Sequence, residues 1–240
     1  MLNRMREAEL MDDPNLDEHK HVEALRSLAR LNAVSSSASI LWQAIRRMAR
    51  RRKLNKLRIL DIATGGGDLP VQLIRYAEND GIELQILAVD KSPTALTFGR
   101  NLAKQHSLEA QIDFAELDVF VDDLPADYDV ITCSLFIHHL DPEQAISLFN
   151  KMRLAAKRLV VVNDLLRSQL SYRLVWLGAR LLSQSPVVRF DSTASVRAAF
   201  TTEEMRDMAM QSGMSNCAVT YRFPCRQLLV WSPNADDSIH

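Results

Sequence analysis

The chain has 240 residues, of which 47% are apolar, with 29 Lys+Arg against 30 Asp+Glu and a formal net charge of −1. Length and apolar content suit one large domain, or one domain with a small appendage, and exclude global disorder. The even charge excludes a long-range field that recruits nucleic acid or anionic lipid and leaves room only for a local basic patch.

Residues 1–56 read as an N-terminal helical lid segment. The opening MLNRMREAELMDDPNLDEHK is charged throughout and has no apolar core of a signal peptide. Val22, Leu25, Leu28, Ala29 and Leu31 or Asn32 fall roughly at helical spacing. Ser35, Ser36 and Ser37 interrupt them, and Ile40, Leu41, Ala44, Ile45 and Met48 form a second amphipathic stripe. Its end is basic: Arg46, Arg47, Arg50, Arg51, Arg52 and Lys53. That run is either a phosphate- or membrane-binding patch or a solvated face with cations well placed at a helix carboxyl end. The lack of aromatic interleaving favours the second.

Residues 57–164 alternate short apolar runs with helical segments. Strands are predicted at 57–63, 84–89, 111–115, 128–134 and 158–163, with helix starts marked between them. Asp68 caps a helix whose first turn takes Pro70, and Ser92-Pro93 and Asp141-Pro142 supply cap followed by first helical residue. This alternation implies an α/β fold with a doubly wound, mostly parallel sheet.

The rest of a domain spanning 57–240 contains a helical insertion at about 165–200. It begins with a helix carrying Leu170, Leu174, Leu177 and Leu181 on one stripe, followed by the less regular SQSPVVRFDSTASVRAAF. Thr201 and Glu204 form a capping box for a helix that Gly213 terminates. Closing strands at 217–223 and 226–231, separated by Pro224, make a hairpin whose final pair is antiparallel. No uncharged apolar run approaches the ~20 residues that span a bilayer, since Arg180 interrupts the longest. Cys133, Cys217 and Cys225 read as reduced, buried apolar groups. A cytoplasmic protein is expected, with no nucleic-acid partner, no metal and no stable membrane insertion, as monomer or homodimer.

The chemistry concentrates in Asp61-Ile62-Ala63-Thr64-Gly65-Gly66-Gly67-Asp68, between an apolar strand and a helix. Successive glycines at a strand-to-helix turn mark unusual dihedrals or close ligand approach, and the helix behind them presents free amides. Asp90 ends the next strand, where a carboxylate accepts hydrogen bonds from ribose hydroxyls, and Asp118 ends the third. Turn, Asp90 and Asp118 on successive strand ends point to a nucleoside ligand in the crevice beyond the sheet's carboxyl edge.

These residues resemble the class I AdoMet-dependent methyltransferases, whose turn reads acidic-x-Gly-x-Gly-x-Gly. Asp61, Ala63, Gly65 and Gly67 match it, with Ala63 replacing the first glycine. The form Asp-x-Ala-x-Gly-x-Gly-Asp is most similar to the ubiquinone and menaquinone biosynthesis C-methyltransferases. The resemblance implies a seven-stranded Rossmann-like methyltransferase sheet with an antiparallel final strand and helical lids. It implies S-adenosyl-L-methionine as cofactor and S-adenosyl-L-homocysteine as product. Asp61 would hold the cofactor's amino-acid moiety, directly or through water, with Thr64 and Asp68 in the same turn. Gly65 and Gly67 would admit close backbone approach, Asp90 would take the ribose hydroxyls beside Lys91 and Ser92, and Asp118 the adenine amino group. Val119 and Phe120 would flank the adenine, and Ser134 and Leu135 would floor the sulfonium.

Methyl transfer from a sulfonium needs alignment and water exclusion more than acid–base machinery. His138 and His139, just past the fourth strand, are the base candidates, with a packing role in a helix-entry turn as their other reading. The fourth strand lacks the Asn/Asp-Pro-Pro-aromatic motif of resembling nucleic-acid amino-methyltransferases, and no paired-glutamate loop is present, which leaves a small-molecule acceptor. An aromatic, polyketide-like or quinone-like acceptor at O or C is expected. The helix with Tyr172 and Trp176 and the stripe around Trp42 offer an apolar roof, unless they are ordinary core. Arg167, Arg189 and Arg197 offer a partner for an acceptor carboxylate, unless they are surface cations. Two alternatives stand beside this reading: a non-catalytic AdoMet-binding scaffold and, more weakly, an NAD(P)-dependent oxidoreductase. The latter lacks any Tyr-x-x-x-Lys pair after Tyr76, Tyr128, Tyr172 or Tyr221.

Overall fold

A computed structural model describes residues 2–7, 23, 37–182 and 185–234. The first helical stripe, Val22, Leu25, Leu28, Ala29 and Leu31 or Asn32, lies outside the described residues. The second stripe forms α1 (Ser37–Arg52), with Ile40, Leu41, Ala44, Ile45 and Met48 all buried. Its basic end is anchored in part. Asp80 receives Arg50 at 2.9 Å, Arg46 at 3.7 Å and the Trp42 indole N–H at 2.7 Å. Trp42 is therefore buried core tied to Asp80 and forms no part of a roof over the strand ends.

The chain then alternates strand and helix: β1 (Lys56–Ile62), α2 (Asp68–Asn79), β2 (Glu83–Asp90), α3 (Pro93–Gln105), β3 (Ile112–Glu116), β4 (Tyr128–Ser134), α4 (Pro142–Ala155) and β5 (Ala156–Leu165). Helices α5 (Gln169–Leu182), α6 (Pro186–Ala198) and α7 (Thr202–Gln211) precede β6 (Ala218–Arg222) and β7 (Arg226–Trp231). The seven strands run in the order β3-β2-β1-β4-β5-β7-β6. β1 to β5 are mutually parallel, and β7 is antiparallel to both β5 and β6. Apolar clusters lie on both faces of the sheet, so its central strands read as continuous apolar runs.

Local chemistry accounts for most boundaries. Ser92 caps α3 by accepting from the Ala95 N–H at 3.2 Å, and Asp141 with Gln144, like Thr201 with Glu204, completes a capping box. Gly213 ends the turn after α7 at φ 87°. Two expectations need correction. Asp68 is the first residue of α2 rather than its cap, because Gly67 occupies that position at φ 75°. The stretch after α5, read as irregular, contains α6: Ser185-Pro186 sets cap and first turn, and the helix buries Val188, Ala194 and Ala198. Tertiary packing there outweighs the poor helix propensity of its Val, Ser and Thr residues.

Candidate active site

The turn after β1 is built from left-handed residues: Ala63 at φ 52°, Gly65 at 54° and Gly67 at 75°. The glycines serve different ends. A Cβ on Gly67 would meet the Phe114 ring at 3.0 Å and the Gly99 backbone at 3.1 Å, and one on Gly99 would meet that ring at 2.5 Å. Phe114, half-buried on β3, thus closes a three-residue contact that draws α3 against the turn. A Cβ on Gly65 would meet nothing within 4 Å, so its backbone faces open space. Gly99 carried no sequence signal, being a lone glycine inside a helical pattern.

Asp61 lies beneath this turn with only 1% of its surface exposed. Thr132, its register partner on β4, donates to one carboxylate oxygen at 2.7 Å, and Thr64 donates to the other at 2.7 Å. Burial pushes Asp61 up to about 7; the Thr132 and Thr64 hydroxyls pull against it, and the nearby Asp68 and Asp90 add to it. A carboxylate has about four acceptor positions, so two hydroxyls leave room for a cationic donor.

Asp90, at the end of β2, is half-buried. One oxygen accepts from the Gly65 N–H at 2.8 Å and the other from the Ser92 N–H at 2.9 Å. The two bonds fix the carboxylate beside the open face of Gly65. Lys91 next to it is exposed, and the Ser92 hydroxyl is occupied in capping α3. Asp118 begins a tight turn after β3: its carboxylate accepts from the Phe120 N–H at 2.9 Å and its N–H donates to Asp122 at 2.9 Å. Lys151 pins the same turn by donating to the carbonyls of Val119 at 2.9 Å and Asp122 at 2.8 Å, a role the sequence did not disclose. Val119 is buried, whereas Phe120 is exposed, its ring centroid 6.4 Å from that of Phe136.

Beyond β4, Ser134 accepts from the Asn163 side chain at 3.0 Å, and Leu135 adopts φ 58° with its N–H on the Asn163 carbonyl at 2.9 Å. A left-handed leucine is strained, a condition that concentrates at functional sites. Leu135 packs in a small cluster with Tyr172 and Val175 of α5 and Val196 of α6. The expected roof therefore uses the Tyr172 and Val175 face of α5. Leu170, Leu177 and Leu181 of the predicted stripe point away from the core and are exposed, as is Trp176.

The two histidines separate clearly. His138, 3% exposed, gives its backbone N–H to Asp164 at 3.0 Å and places Nδ1 2.6 Å from the other oxygen of that carboxylate. A carboxylate partner fixes the ring proton on Nδ1. Burial would raise Asp164, but the charge and hydrogen bonds of His138 and the Leu165 and His138 amides outweigh it and hold Asp164 below the usual carboxylate value. Arg226 on β7 is also buried; desolvation brings it down to about 10 while Asp164 opposes the shift. His139 is half-buried, its ring centroid 4.3 Å from that of His138 and 6.1 Å from that of Phe136.

The amino-terminal residues 2–7 reach this turn. Arg4 stacks 3.9 Å over the Phe200 ring and donates to the carbonyls of Ala198 at 2.7 Å and Leu140 at 2.6 Å. Arg6 donates to the His139 carbonyl at 3.1 Å. Arg167 is spent on the Leu2 and Ala199 carbonyls and on Glu204, and Arg197 on Glu7, so both serve the scaffold. Arg189 donates to the Arg180 carbonyl at 3.3 Å.

The antiparallel β7 between β5 and β6 separates this sheet from the six-stranded parallel order of dinucleotide-binding folds, and it defines, with the glycine turn, a class I methyltransferase fold. Residues 59–158 match the family model described as a methyltransferase domain. The donor used by the class is S-adenosylmethionine. Among solved structures the chain is similar to the S-adenosylmethionine-dependent methyltransferase SibL, with 21% identity over 73% of this chain and 50% of that one and a TM-score of 0.56. It is also similar to human N-acetylserotonin methyltransferase in complex with SAM, at 16% identity, 90% and 56% coverage and TM-score 0.63. A third is magnesium protoporphyrin IX methyltransferase from Synechocystis PCC 6803, at 14% identity, 93% of both chains and TM-score 0.59. At these identities the likeness is one of fold, and the chain spans about half the length of SibL. Among curated proteins none matches the chain in sequence.

Proposed function

We propose that the chain transfers a methyl group from AdoMet to a small aromatic or quinone-like acceptor, at oxygen or carbon. The observation that carries this reading is the open face of Gly65 beside the fixed carboxylate of Asp90. The residues fit the donor: Asp90 presents free lone pairs to two ribose hydroxyls, and Asp61 presents a buried anion to an α-ammonium. Asp118, with Val119 and Phe120, bounds the adenine end, and Ser134 and Leu135 lie below the sulfonium.

The bound donor supplies an activated methyl group and its own leaving group. The chain's residues orient and exclude water. Phe136 and His139 form the wall against which a flat acceptor stacks. His139, half-buried on that wall, takes the acceptor's proton where the acceptor is a phenol. His138 is a positioning residue, holding the turn on Asp164. Residues 2–7 cover the histidine turn through the Arg4 and Arg6 bonds, α1 being core rather than lid, and the 165–200 insertion roofs Leu135. The even charge supports a small acceptor rather than nucleic acid, and three free cysteines, Cys133 and Cys225 buried and Cys217 half-buried, support a cytoplasmic location.

The test is transfer of isotope-labelled methyl to a panel of phenols and quinones, run beside calorimetric titration with AdoMet. Transfer to one acceptor class establishes the reading. AdoMet binding with no transfer across the panel assigns the chain to a non-catalytic AdoMet-binding scaffold instead.

A further inference from the structure

The outer face of α5 is built against the pattern of the rest of the surface. Leu181 is 74% exposed, Leu170 57% and Leu177 49%, and these three fall on one side of the helix. Trp176 lies on the adjoining arc, and Phe190 of α6 adds another exposed ring. Arg173 and Arg180 sit between Trp176 and the leucines on the helical wheel, both exposed, and the Arg180 guanidinium stacks 3.9 Å over the Trp176 ring.

Charge distinguishes this face from an ordinary apolar patch. Between Asp164 and Asp191 the sequence has no acidic residue and four arginines, Arg167, Arg173, Arg180 and Arg189, in a chain whose net charge is −1. The remainder of the molecule is therefore net negative, while this stretch is wholly basic, with Arg173 and Arg180 exposed beside the leucines. Exposed Leu and Trp flanked by Arg, with no acid, is the composition of a helix that lies in the plane of a membrane interface. Arginine stems reach along apolar surface while their guanidinium groups meet phosphate. No described helix is long and apolar enough to cross a membrane, so the contact is peripheral.

We propose that the outer α5 face docks on an anionic phospholipid bilayer. Leu170, Leu177 and Leu181 enter the acyl boundary, Trp176 sits at the headgroup level, and Arg173 and Arg180 pair with lipid phosphates. The inner face of the same helix, with Tyr172 and Val175, stays on Leu135. The inference stands on the surface alone and does not depend on the methyl-transfer reading.

Vesicle flotation of the full chain tests it, with phosphatidylcholine vesicles compared with vesicles carrying about 30 mol % phosphatidylglycerol. The chain is expected to float with the anionic vesicles and to be released as salt rises. Leu177→Glu with Leu181→Glu should lower binding by about tenfold or more, and Arg173→Glu with Arg180→Glu should remove the preference for phosphatidylglycerol. Both pairs are exposed, so circular dichroism and melting should match the unaltered chain. Failure to float, or flotation unchanged in the leucine variant, overturns the proposal. Light scattering that shows a dimer dispersed by Leu181→Glu, without vesicle binding, gives the face to a second copy and also overturns it.

Discussion

The Gly65 amide donates to the Asp90 carboxylate at 2.8 Å, which locks the turn after β1 to the tip of β2. The second Asp90 oxygen takes the Ser92 amide that opens α3. One side chain thus joins two strand ends and a helix start at the place where the ribose of a nucleoside would lie.

Asp90→Ala is expected to weaken AdoMet by about 1–3 kcal/mol, the cost of stranding polar partners in a buried site. Calorimetric titration reads it directly. A melting temperature that falls while affinity holds would mean that Asp90 only braces the turn.

Asp61 makes stability depend on pH in an unusual direction. Its folded value, about 7, lies above its ordinary 3.8, so between those limits the folded state holds a proton that the unfolded state has lost. The protonated form's advantage is complete below the ordinary value and is lost as pH rises through about 7, a span of up to about 4 kcal/mol. Asp61→Asn should flatten the decline in urea stability between about pH 4 and 7 and weaken AdoMet. An unchanged slope would show that the carboxylate is not desolvated.

Asp164 behaves oppositely because its partners are a histidine and backbone amides instead of neutral hydroxyls. Its folded value is depressed, so its contribution is present above the ordinary carboxylate value and is lost as pH falls through the folded one. Asp164→Ala should cost about 3–5 kcal/mol, as removal of one partner from a buried charged set does, with urea unfolding as the readout. His139→Ala, by contrast, should lower kcat about 10²-fold or more on a phenolic acceptor while AdoMet affinity and melting stay put. An unaltered kcat would mean that the acceptor proton leaves without His139.

Much of this was legible in the sequence. The five-strand alternation, the caps at Ser92, Asp141 and Thr201, and the turn from Asp61 to Asp68 are local signals, and local chemistry decides them. What stayed hidden depends on contacts distant in sequence. Gly99 matters only because Phe114 crosses it, Lys151 because its ammonium reaches the Val119 carbonyl, and α6 because its buried face outweighs weak propensity. The leucine stripe of α5 shows the reverse error: spacing marked an apolar face correctly but carried no information about which side met the core. His138 and His139 were indistinguishable as neighbours until Asp164 claimed one of them.

Gly99→Ala should destabilise the fold by about 1–3 kcal/mol, since its Cβ would lie 2.5 Å from the Phe114 ring. Phe114→Leu in the same chain should recover part of the loss, measured by urea midpoint. Equal loss in single and double variants would show that the ring does not set the spacing between α3 and the turn.

The account rests most directly on calorimetric titration of the purified chain with S-adenosylhomocysteine. The expected result is saturable binding at one site per chain, strongly weakened by Asp90→Ala. Absence of binding in the unaltered chain, with the protein shown to be folded, would contradict it.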